Sequence, residues 1–167
     1  MSKNPVAVTL VCLVLAIAVN IYYFSSGTEL TSVVAKTLFA DLILVLSLVP
    51  VYQAIVIKNT AESVLSFPER IKSGLKPVAM YTLVVALVTF ALIKFFGEPL
   101  IAERLAEISI NMQRGVETGA ITQEVMDGQI ELAKQIYSPS SHVIIVLIFN
   151  LFVGFLSSII AAFLVRK

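Results

Sequence analysis

Charge is scarce in this chain, and the residues most enzymes draw on are scarcer still. Only 14% of its 167 residues are charged, where soluble domains carry about 25%. A net charge of +1 offers no basic surface, so a nucleic-acid partner is not expected. The single cysteine, Cys12, rules out an intrachain disulfide and any cysteine-built metal cluster. Lying within an apolar run, it reads as a small hydrophobe. The single histidine, His142, leaves no pair of intramembrane histidines to bind haem or a metal. The sequence also has no glycine-rich phosphate loop, no HExxH and no CxxCH, and no serine or cysteine has a base at useful spacing. These absences argue against an enzyme and against a resident cofactor or metal.

Hydrophobic residues, by contrast, make up 58% of the chain and gather into four runs, about 5–24, 33–57, 77–96 and 142–165. A helix crosses ~30 Å of hydrocarbon with about 20 residues at ~1.5 Å each, and every run is long enough. The lipid bilayer is therefore the first partner. The expected fold is all-α, a four-helix transmembrane bundle forming one membrane domain. The first run is longer than the usual 7–15 residue core of a secretion signal and ends without an Ala-x-Ala site, so it is expected to remain as the first span.

The charges between the runs are sorted by sign. Segment 58–76 carries Lys58, Arg70, Lys72 and Lys76 against Glu62 and Glu69, Lys3 precedes the first run, and the chain ends Arg166-Lys167. The positive-inside rule puts all three in the cytoplasm, and four spans satisfy all three at once. Segment 97–141 falls on the opposite side. It holds Glu98, Glu103, Glu107, Glu117, Glu124, Asp127 and Glu131 against Arg104, Arg114 and Lys134.

Segment 97–141 has helical period. Pro99 suits the start of a helix, Ile101, Leu105, Ile108 and Met112 recur at steps of four and three, and Gly115 reads as the stop. Thr122 reads as the N-cap of a second helix, with Ile121 and Met126 as a hydrophobic staple and Met126, Ile130, Ala133 and Tyr137 as its apolar face. Ser138-Pro139 ends it. The expectation is an extracytoplasmic amphipathic helical hairpin between spans three and four, capping the bundle or lying on the membrane surface. In segment 58–76, Leu65, Phe67, Ile71 and Leu75 alternate with basic residues; this fits an interfacial helix or a solvated basic turn.

Polar side chains inside the spans are where function is expected to show, because an unpaired charge at the bilayer centre costs at least ~2.5–3.5 kcal/mol. Besides Gln53, the candidates are Asn20, Lys36, Asp41, Lys94 and Asn150, which fall on four different spans in the outer half of the bilayer. They suggest a polar layer facing the bundle interior, with Asp41 paired to Lys94 in preference to Lys36, which lies five residues away on the same helix. Either the layer lines a path for a small solute or proton, or it joins helices as a satisfied ion pair with two asparagines. Gly154, Ser158 and Ala162 repeat as a small-xxx-small packing face beside Ser157 and Ala161, with a weaker stripe at Cys12 and Ala16. Pro50 is expected to kink or loosen the second span near Gln53.

From Ser66 to Lys167 the sequence resembles a family of small bacterial inner-membrane proteins known only as a domain of unknown function. The matching pieces are "SFPERIKSGLK" with Phe67 and Gly74, "KFFGEPLI" with Pro99, "TGAITQEVMDGQIELAKQIYSP", and "VGFLSSIIAAFLVRK" with Gly154. The first two spans match only as hydrophobic stretches. The resemblance implies four spans and a bacterial cytoplasmic membrane, and supplies no activity or site residue. Pro68 stands where the family pattern has a small polar residue, and is expected to break the helix leading into the third span.

Together these readings favour a non-enzymatic accessory or assembly subunit of a membrane complex, with the outer hairpin as its partner surface. A small transporter or channel of several copies built on the polar layer, and an envelope sensor reading through the hairpin, are the alternatives.

Overall fold

The computed structural model describes residues 5–26, 29–59 and 65–164, and every element in them is helical. Lys3, Glu62, Val165, Arg166 and Lys167 lie outside the described residues, as do the side chains of Pro5 and Lys58. Helices α1 (Pro5–Ser26) and α2 (Leu30–Asn59) are followed by α3 (Phe67–Leu92), a π-helical turn (Ile93–Gly97) and α4 (Glu98–Glu117). α5 (Gln123–Ile136) and α6 (Pro139–Leu164) complete the chain. Four of these helical stretches are long and apolar enough to cross a membrane. Their apolar residues sit on both sides of each helix: Val14, Phe39, Leu87 and Ile148 face outward, while Leu48, Val49, Val78 and Val85 fill the centre. That pattern suits helices surrounded by lipid, which has no polar solvent to shun.

The helix that carries the third span begins ten residues before its hydrophobic run. Residues 67–76 are neither a loop nor a separate surface helix but the first turns of α3. Pro68 starts this helix instead of breaking it, because the first turn needs no intrahelical N–H. The Glu69 carboxylate accepts hydrogen bonds from the Ser66 N–H and Oγ, both at 2.7 Å, and so ties the turn down. Pro50 and Pro77 both lie inside helices, where lipid leaves the backbone no alternative hydrogen-bond partner outside the helix.

At its other end α3 does not stop either. Pro99 cannot donate a backbone hydrogen bond, and its ring crowds the carbonyl four residues back. The chain absorbs this by widening into the π turn Ile93–Gly97, then resumes as α4 in the same rod. Gly115 is not the stop: α4 continues to Glu117, and the left-handed residue is Gly119 with φ 72°. The amides of Gly119, Ala120 and Ile121 then return to the carbonyls of Val116 and Gly115, closing the helix end. Thr122 caps α5, its side chain accepting from the Val125 N–H at 3.3 Å.

The tightest packing joins α3 to α6, which run antiparallel. A side chain at Gly154 would drive into Val78, and one at Gly74 would lie 2.7 Å from Ser158 Oγ and 2.6 Å from Gln53 Nε2. One step of four further on, the Arg70 guanidinium donates to the Ala162 carbonyl at 3.0 Å. Arg70, Gly74 and Val78 thus descend α3 opposite Ala162, Ser158 and Gly154 climbing α6. Continuing the register places Thr82 opposite Asn150 and Ala86 opposite Val146, all four buried. The small-residue face of α6 is therefore an internal seam.

Overpacking a filled core costs about 1–3 kcal/mol. Gly154→Ala should accordingly lower the thermal midpoint in detergent, and Val78→Ala in the same chain should restore most of it. A thiol-reactive dye reports unfolding at buried Cys12; an unchanged midpoint in the single variant would contradict the seam.

Candidate functional site

Three helices meet at the Asp41 carboxyl group. Asp41 is 1% exposed, and Tyr81 of α3, itself fully buried, donates its hydroxyl to Asp41 Oδ1 at 3.0 Å. Asn150 of α6 lies beside the same carboxyl group, although its amide makes no hydrogen bond of good geometry. Asn20 of α1 donates its Nδ2 to the Ala16 carbonyl at 2.9 Å, which folds its side chain back along its own helix. Asp41, Tyr81 and Asn150 fall within ~5 Å of the midpoints of their helices, counted at ~1.5 Å per residue. This polar core therefore sits near mid-height, closer to the centre than span midpoints alone suggest.

Lys36 and Lys94 do not belong to it. Both are exposed; Lys36 Nζ lies 5.8 Å from the Tyr23 ring centre, and Lys94 Nζ lies 6.0 Å from that of Phe90. Helical phase explains the correction for both, and Lys94 also stands ~20 Å along the rod from Tyr81. At ~100° per residue, Lys36 lies about 140° around α2 from Asp41, and Lys94 lies about 220° around from Tyr81. Both lysines sit on the outer face, where long stems can carry the charge toward water. The salt bridges among the described residues, Arg104–Glu107 and Lys134–Glu131, are both on α4 and α5. Asp41 is thus held by a phenol and not by a cation.

Several polar atoms of this core make no hydrogen bond within the protein: Asp41 Oδ2, Asn20 Oδ1, Thr82 Oγ1 and both amide atoms of Asn150. A buried group left unsatisfied costs about 1–3 kcal/mol. A second polar cluster lies nearer the start of α3, where Gln53 Oε1 and Arg70 Nε are likewise without a partner. There Gln53 Nε2 donates to the Arg70 carbonyl at 2.9 Å and the Ser158 carbonyl at 3.2 Å, while Arg70 binds the last turn of α6. A cation on the final carbonyls of a helix also favours its dipole. This second cluster is a clasp between α2, α3 and α6.

Tyr81 and Thr82 were missed by composition, because Tyr81 counts as apolar and Thr82 sits in an otherwise apolar run. The signal that finds Thr82 is the step of four along α3 from Gly74 and Val78, matched to the step from Gly154 to Asn150; Tyr81 is its neighbour in the chain, three residues after Val78. His142 is buried, and its Nδ1 lies 3.0 Å from the Ser138 carbonyl in the first turn of α6.

Over residues 6–167 the chain matches DUF4199, a family of proteins of unknown function, and it belongs to that family. The match covers the first two spans as well as the later ones. No curated protein and no solved structure matches it.

Removing the phenol leaves a buried carboxyl group short of a donor, so Tyr81→Phe should cost about 1–3 kcal/mol. In double-mutant cycles followed by thermal unfolding, Asp41→Asn should couple to Tyr81→Phe but not to Lys94→Met. Coupling to Lys94 alone would restore the ion-pair reading.

Proposed function

We propose that this DUF4199 member is a non-enzymatic accessory or assembly subunit of a membrane complex, which docks its partner on α4 and α5. The observation that carries the reading is the surface of α5. Its buried stripe, Met126 and Ala133 with Ile130 and Tyr137 beside them, packs inward. About 110° around the helix, Val125, Leu132 and Ile136 form a second apolar stripe that is exposed, each about half accessible. A helix needs one apolar stripe to fold against its neighbour; the second is left for another surface.

The two helices make a stiff platform. α4 is ~30 Å long at 20 residues and has no buried residue, yet Ile101 at its base packs with Phe24, Val33 and Ile93. Arg104 pairs with Glu107 and lies beside Tyr137 at the end of α5. The acidic side chains around the exposed stripe suit a membrane-protein partner with an apolar strip flanked by Lys or Arg.

On the same reading the protein lies in a bacterial cytoplasmic membrane. Both termini and the start of α3 face the cytoplasm, with α4 and α5 outside. The sorting of Lys and Arg supports this orientation. A small transporter remains the second reading, favoured by the absence of a cationic partner at Asp41 among the described residues.

Leu132→Glu with Ile136→Glu should abolish cross-linking to the partner and its co-purification in mild detergent, while leaving the melting of the bundle unchanged. Recovery of the same partner with the double variant, or of this chain alone with the native protein, would count against docking at α5. A reporter fused after Lys167 should be active only in its cytoplasmic form; activity confined to the outside would reverse the orientation.

A further inference from the structure

The polar core at mid-height carries an inference independent of the docking surface. What the core lacks is a charge partner. Asp41 Oδ2, Asn20 Oδ1, Asn150 Oδ1 and Thr82 Oγ1 all have no partner within the protein, and the free donors beside them, the Asn150 amide and the Thr82 hydroxyl, are neutral. Every one of these side chains is at most 1% exposed. Tyr81 and Asn150 both adjoin the Asp41 carboxyl group, and the α3–α6 register brings Thr82 opposite Asn150. An apolar shell surrounds them, with Ala16, Val45, Val78 and Val85 in the same packed cluster.

A buried carboxylate calls for a positive charge, which neutral amide and hydroxyl donors do not supply. The nearest fixed cations, Lys36 and Lys94, point the other way. Hard cations take carboxylate, amide and hydroxyl oxygens together. One carboxylate balances one positive charge, and a divalent ion would leave an uncompensated charge in a dry core. We propose that Asp41, Asn150 and Thr82, with Asn20 one turn above, bind a sodium-sized monovalent cation between α1, α2, α3 and α6. Tyr81 serves as a positioning residue: by donating to Oδ1 it aims the other carboxyl oxygen at the ion. A site that draws its ligands from four helices links their packing to occupancy, so the bound ion stabilises the folded bundle.

The test uses the full chain in mild detergent, with unfolding read by a thiol-reactive dye at Cys12. Sodium chloride is exchanged for choline chloride at constant ionic strength. A ligand well above its dissociation constant should raise the midpoint by about 5 °C for a chain of this size, in a saturable way. Potassium should raise it less. Asp41→Asn and Asn150→Ala should each remove the sodium-dependent part of the shift. If Asp41→Asn fails to fold, Thr82→Val and Asn150→Ala decide between the outcomes. Equal midpoints in sodium, potassium and choline would overturn the site and leave the core to protons or water. A sodium response that survives Asn150→Ala and Thr82→Val would overturn it too. Neither result touches the partner surface on α5, which is tested by cross-linking.

Discussion

The close approach of α3 and α6 is the contact on which the other arrangements depend. Lipid tails are as apolar as leucine, so helices in a membrane gain little by hiding apolar side chains from their surroundings. They are held by dispersion contacts over backbones brought close and by hydrogen bonds between them. Here Gly74 and Gly154 supply the closeness, each leaving room for a side chain of the other helix or its neighbour. Because residues on both helices recur in steps of four, one close contact sets the register of the whole pair. That register brings Arg70 to the end of α6 and Gln53 to the Ser158 carbonyl. It also brings Asn150 to the level at which Tyr81 meets Asp41.

The polar side chains are sorted by azimuth and by depth. Asn20, Asp41 and Asn150 point inward and are buried, while Lys36 points outward from α2 and Lys94 points outward from the π turn, ~20 Å along the rod from Tyr81. The difference follows from chemistry as much as phase. A lysine stem can cover apolar surface and still deliver its charge to water, which the short side chains of Asp and Asn cannot do. The short ones must be satisfied where they stand. Tyr81 suits that task, because it fills apolar volume with its ring and presents a hydroxyl at its tip.

Pro99 has a structural consequence out of proportion to its size. A loop at that position would have let α4 fall in any direction. Because the helix widens into a π turn and continues, α4 is a stiff extension of the third span. Gly97 within the turn packs on Ile93, while Phe95 and Phe96 stay exposed beside it. The platform carrying the exposed stripe of α5 is thereby held in a definite orientation to the bundle. A docking surface works best when it needs no ordering on contact.

Much of this was legible in the order of residues. Spans, helical class and the Thr122 cap follow from hydropathy, period and capping chemistry, all sums over neighbouring residues. Where such reasoning failed, it failed at proline and glycine: Pro68 starts a helix and does not end one, Pro99 opens a π turn, and the helix stop is Gly119, not Gly115. At these positions backbone conformation is chosen between alternatives that tertiary contacts distinguish. The second apolar stripe of α5 was also hidden, since Val125, Leu132 and Ile136 look like core until Met126 and Ala133 are seen to occupy it. The sequence by itself determined that this chain is a helical membrane protein with four spans and polar groups within them. Only the tertiary structure decided that Asp41 meets Tyr81 and Asn150 instead of a lysine. Partner choice depends on the azimuth and register of helices far apart in sequence, and those are set by the Gly74 and Gly154 contacts between α3 and α6.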